Sequence, residues 1–137
     1  MEHLAGRFEK AEEWARKTID MCIASRRFKY ETVGRMLLGR VLAAQGKPRD
    51  GVREAALSTE QADHYGSPLL RWQTHAELGR VSYAAGDDGS AEKAFATAAA
   101  IIEEVAARLA PDRRSRFLSA EPVRDVLQGA TTSPLDG

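Results

Sequence analysis

The tetrapeptide Leu38-Gly39-Arg40-Val41 recurs forty residues later as Leu78-Gly79-Arg80-Val81. Gly46 recurs as Gly86 at the same interval, and Gly6 precedes Gly46 by it. Five positions after each of these glycines stands a small residue: Ala11, Gly51 or Ala91. Ala15, Ala55 or Phe95 comes next in the frame, then Thr18, Ser58 or Ala98. Three frames agreeing at one period describe a repeated supersecondary unit, and a unit of this length buries its apolar face only by stacking on its neighbours.

The unit reads as two helices and two turns. Gly66-Ser67-Pro68 combines a helix stop, an N-cap hydroxyl and a proline at the first helical position. A helix is expected from Pro68 to Ala85, ended by Gly86, with a carboxylate of Asp87-Asp88 capping the next. From Ala91 the apolar positions Ala94, Phe95, Ala98, Ile101, Ile102, Val105 and Leu109 form one helical stripe. Upstream, Lys29 to Gln45 and Pro48 to His64 form the equivalent pair. At the N-terminus Ala11, Ala15, Thr18, Ile19 and Cys22 make a stripe on a helix ending near Ser25. Ala110-Pro111-Asp112 breaks the chain, and two short helices are expected over Arg113 to Leu118 and Pro122 to Leu127. The expectation is one all-α domain over 1–128, with about five long helices and one or two short C-terminal capping helices. Its parts are a partial repeat over 6–27, full repeats over 28–66 and 67–110, a cap over 112–128, and a flexible tail over 129–137.

Composition agrees with helix throughout. Alanine makes up about a sixth of the 137 residues, aromatics are 7%, and β-branched runs are nearly absent. Twenty basic residues balance twenty acidic ones. That leaves no electrostatic footprint for nucleic acid or for an anionic membrane, so neither is expected as a partner. The longest apolar stretch, Ala94 to Ile102, is about half the ~20 residues of a spanning helix. No basic n-region and apolar h-region open the chain. A single cysteine rules out an internal disulfide framework. Together these point to a soluble, cytoplasmic location.

A glycine in a helix interior costs about 1 kcal/mol relative to alanine. Gly39 and Gly79 stand at equivalent places, so a close approach by a neighbouring helix is expected at each. Ala11, Ala15, Ala91 and Ala98 have the same meaning on the facing helix. Trp14, Trp72 and Phe95 are expected to fill gaps between units.

These residues resemble the tetratricopeptide repeat, whose pattern is L-G-x-x-Y-x-x-x-G-x-x-x-x-A-x-x-x-F-x-x-A. Leu78, Gly79, Gly86, Ala91, Phe95 and Ala98 match it, with Ser82 at the tyrosine place; Leu38, Gly39 and Gly46 match it in the earlier unit. The resemblance covers roughly Gly6 to Leu109. It implies a right-handed superhelical stack of antiparallel helix pairs, an α-solenoid with a concave face lined by the first helix of each pair. The forty-residue period departs from the family's usual thirty-four or so. The first unit also lacks its leading helix, so either the chain is a segment of a longer protein or another copy covers that face. The stretch Arg113 to Arg124 is similar to the closing segment of long-unit arrays. Such arrays end large bacterial regulators with ATPase, kinase, cyclase or transcription-factor modules upstream. An arginine-to-lysine ratio near three to one and the absence of asparagine fit a GC-rich bacterial genome.

By that pattern Val33, Met36, Leu37, Arg40 and Ala44, with Gln73, Ala76, Glu77, Arg80, Tyr83 and Ala84, line the concave face. Arg40 and Arg80 would project side by side. There they could grip a carboxylate of a partner, or each could pair with a local acid such as Glu77. The asparagine-dependent clamp of chaperone-binding members cannot be assembled here. The partner residues expected are Arg40, Gln73, Glu77, Arg80 and Tyr83.

No catalytic residue, cofactor or metal site is expected. His3, His64 and His75 fall outside metal-binding spacings; His64 should meet the carbonyls of a helix end, and His75 should pack within the repeat. Cys22 sits on an apolar stripe with no identifiable base. Gly86-Asp87-Asp88-Gly89-Ser90 lacks the lysine of a phosphate loop and the later ligands of a calcium loop, and reads as a turn. Arg113, Arg114, Arg116 and Arg124 read as a solvated cap surface. The function expected is a non-catalytic interaction or regulatory scaffold that holds a protein, a peptide or another domain of the same polypeptide. The alternatives are a ligand- or peptide-sensing repeat domain, and a homodimerisation module using the unpaired first helix.

Overall fold

The computed structural model describes residues 4–128; the tail expected over 129–137 lies outside them. Among the described residues there are seven α-helices and no strand. Five are long: α1 (Leu4–Ser25), α2 (Phe28–Ala44), α3 (Pro48–Tyr65), α4 (Pro68–Ala84) and α5 (Asp88–Ala107). Two are short: α6 (Pro111–Ser119) and α7 (Glu121–Leu127).

Turn chemistry sets these bounds. Prolines 48, 68 and 111 begin helices, where a missing N–H costs nothing and φ is already helical. The α6 start at Pro111, two residues before the expected Arg113, follows from this. Asp87 caps α5: its carboxylate accepts the Ser90 N–H at 3.1 Å and the Ser90 hydroxyl at 2.7 Å. That cap starts α5 at Asp88, ahead of the apolar stripe that opens at Ala91. Ser67 occupies the N-cap place of α4, but its hydroxyl makes no capping hydrogen bond. Gly66 ends α3 in the left-handed region at φ 70°.

The helices pack in chain order, each on the next, through turns of one to three residues. In addition α2 touches α4, whereas α3 and α5 share at most a marginal contact. The chain is thus a row of helix pairs in which the first helices of consecutive units meet. One apolar cluster joins α1 and α2 through Ala15, Ile19, Leu38 and Leu42. A second joins α4, α5 and α7 through Trp72, Ala76, Ala98, Ile101, Ile102, Val123 and Val126. Fully burying a side chain such as Leu38 contributes about 2 kcal/mol. The closing helices are fastened by Arg114, which donates to the Ala106 carbonyl in the last turn of α5 at 2.9 Å and to the Leu109 carbonyl in the turn after it at 3.2 Å.

The glycine expectation holds with one change of partner. A Cβ at Gly39 would stand 2.9 Å from the Gly51 carbonyl oxygen and 3.3 Å from the Ala55 nitrogen, so α2 and α3 meet backbone to backbone. At Gly79 the obstacle is a side chain: three carbons of the Phe95 ring would lie 2.9 Å away. The equivalent contact is therefore filled from position 55 by a methyl and from position 95 by a ring. Phe95 and Trp72 are buried as expected, but Trp14 is not. It is 59% exposed, because it stands about a quarter-turn round α1 from the buried stripe of Ala15, Ile19 and Cys22.

Candidate interaction face between α2 and α4

Glu77 is the centre of the face. It lies on α4 with its side chain 2% exposed, and two arginines reach it from different units. Arg40 on α2 donates from Nε to Oε1 at 3.0 Å and from Nη2 to Oε2 at 2.9 Å, a bidentate pairing. Arg80, one turn along α4, donates from Nη1 to Oε2 at 3.0 Å. The hydrogen bonds to Glu77 hold the Arg40 guanidinium above its ordinary pKa, against the opposing effect of burial. A buried carboxylate left alone would be strongly destabilising, so two cations around it fix the crossing of α2 and α4.

Of the two roles open to Arg40 and Arg80, the structure has the local pairing. Both converge on the same carboxylate instead of projecting free. Two cations against one anion leave a local excess of one positive charge, and the Arg40 side chain remains 50% exposed. Tyr83 is exposed and Gln73 half-buried on the same helix. On α2, Val33, Met36 and Leu37 are half-buried, while Ala44 and Ala84 are exposed. Ala76 does not line this face. It is buried against α5 in the Trp72 cluster, because small residues of α4 are used on the side where α5 comes close.

Two polar seams lie beyond the expected residues. Between α2 and α3, buried Glu31 accepts from Arg35 Nε at 2.9 Å and from Gln61 Nε2. Arg35 also donates to Glu54 at 3.0 Å, and Thr32 Oγ1 lies 3.0 Å from Gln61 Oε1. The sequence signal for this seam is the Glu31/Arg35 pair at i,i+4; its α3 partners depend on the register of the pair. Between α3 and α4, Asp63 accepts from Arg71 Nε at 3.0 Å and lies 3.1 Å from His75 Nε2. His75 thus makes a polar contact across the boundary between the two units, not within one of them. His64 is exposed and meets the Tyr65 ring edge-on, with centroids 5.2 Å apart. Cys22 is buried.

Among the described residues no group of three or more His, Cys, Asp or Glu could hold a metal ion. No helix among them is long and apolar enough to cross a membrane. No family model, curated protein or solved structure matches this chain.

Proposed function

We propose that the chain is a non-catalytic interaction module of the tetratricopeptide-repeat kind, which takes a protein or peptide partner on the face shared by α2 and α4. The observation that supports this most is the unequal spacing of the helices. First helices α2 and α4 touch while second helices α3 and α5 hardly do. A stack built this way curves with its first helices inside, and such curvature produces the extended concave surfaces that repeat proteins use. A right-handed superhelical path belongs to the same proposal.

The chemistry of the face suits a segment carrying a carboxylate beside an apolar or aromatic side chain. Arg40 presents its outer edge with a net positive charge around Glu77, Tyr83 supplies an exposed ring, and Gln73 supplies an amide. The segment would come from a separate protein or from another domain of a longer regulatory polypeptide.

Selection from a random peptide library tests this. The intact chain should enrich acidic segments, and those segments should lose affinity for Tyr83→Ala and Gln73→Ala variants that melt like the parent. Peptides bound equally well by parent and variants, or no enrichment at all, would overturn it. Arg40 and Arg80 are poor probes here, because removing them strips a buried carboxylate of its partners.

A further inference from the structure

The outer face of α1 carries the strongest unassigned signal in the molecule. α1 buries Ala15, Ile19 and Cys22. Away from that stripe Trp14 is 59% exposed and Met21 71% exposed. Successive residues of a helix turn by 100°, so Lys10, Glu13, Trp14, Lys17, Asp20 and Met21 share that side, and all six are exposed. Lone exposed apolar residues are ordinary, but a tryptophan and a methionine two turns apart on one helix make a seam.

The charges on this seam follow an order that selects a partner. Along the helix they run Lys10 positive, Glu13 negative, Lys17 positive, Asp20 negative. Reversing the helix reverses every sign about residue 15. An antiparallel second copy centred there sets Lys10 opposite Asp20 and Glu13 opposite Lys17, each pairing occurring twice. The two Trp14 rings then lie beside the two-fold axis. A closed two-fold pairing needs a surface complementary to itself, and this one is. A parallel copy in register would instead face like charge with like.

We propose that α1 pairs antiparallel with α1 of a second copy of this chain, closing a two-fold dimer through Trp14 and the Lys10–Asp20 and Glu13–Lys17 pairings. The dimer uses a face remote from the buried side of α1, so it leaves the α2/α4 face of each copy open for a partner.

Sedimentation equilibrium of the intact chain and of three charge variants tests it. The parent should dimerise across the micromolar range. Glu13→Lys and Lys17→Glu, each alone, turn two attractions into repulsions and should weaken self-association by about tenfold or more. The double variant Glu13→Lys/Lys17→Glu restores every pairing and should dimerise like the parent. An equimolar mixture of the two single variants should form a heterodimer, because each then presents the charges that the other lacks. Far-UV circular dichroism should be unchanged throughout, since both positions are exposed. A monomeric parent would overturn the proposal and would leave the seam to a different segment or protein. Single variants that dimerise undiminished would overturn it as well, as would a mixture that stays monomeric.

Discussion

Arg26 adopts in the turn between α1 and α2 the left-handed backbone that Gly66 adopts forty residues later between α3 and α4, with φ of 55° and 70°. The two positions are equivalent in the repeat, yet only one has the residue that takes this conformation without a Cβ penalty. For an L-residue the left-handed region costs about 1–2 kcal/mol. Glycine offsets part of that gain through its greater freedom in the unfolded chain.

Arg26→Gly should therefore stabilise the protein by about 0.5–1 kcal/mol. Urea unfolding should show a higher midpoint at unchanged slope.

The two interior glycines should respond unequally. At Gly39 a new methyl meets the Gly51 carbonyl and the α3 backbone, which cannot step aside without moving a helix. Gly39→Ala should cost about 1–3 kcal/mol even after its gain in helix propensity. At Gly79 the obstacle is the far end of the Phe95 side chain, which can shift. Gly79→Ala should cost less, and Gly79→Leu about 1–3 kcal/mol. Thermal melts of the three variants provide the ranking.

The α5 cap should show in the acid limb of stability. The hydrogen bond from the Ser90 hydroxyl, then the Ser90 backbone N–H, hold the Asp87 carboxyl below its usual pKa. A lowered folded value means that the cap's contribution is complete above the ordinary aspartate range. It is lost as pH falls through the lowered value. Asp87→Ala should remove that part of the pH dependence, so parent and variant stabilities should converge in acid. Denaturant melts at a series of pH values check this.

Much of the helical order was legible because glycine and proline punctuate it. Prolines 48 and 68 mark their helix starts to the residue, and Gly66 marks the end of α3. At α5 the carboxylate cap of Asp87-Asp88 marks the helix start, where Asp88-Gly89-Ser90 shows no apolar periodicity. The exposure of Trp14 runs against its size, since burial depends on which face of α1 meets α2. Leu38 and Leu78 show the same limit. Leu38 is buried in the cluster shared with α1, while its repeat partner Leu78 is half-buried. On the face itself, the pairing of Arg40 and Arg80 with Glu77 was one of two readings the sequence left open. The Glu31–Gln61 and Arg35–Glu54 contacts cross between helices, and their partners follow only from the register of α2 on α3.

The two forty-residue units meet through α2 and α4, fastened where Arg40 reaches Glu77. A double-mutant cycle in urea with Arg40→Met, Glu77→Gln and the combined variant measures that link. The buried, bidentate pairing predicts that Glu77→Gln costs about 3 kcal/mol or more. It also predicts a coupling between the two sites of at least about 1 kcal/mol. Strictly additive effects, with no coupling beyond the error of the cycle, would contradict the stacking.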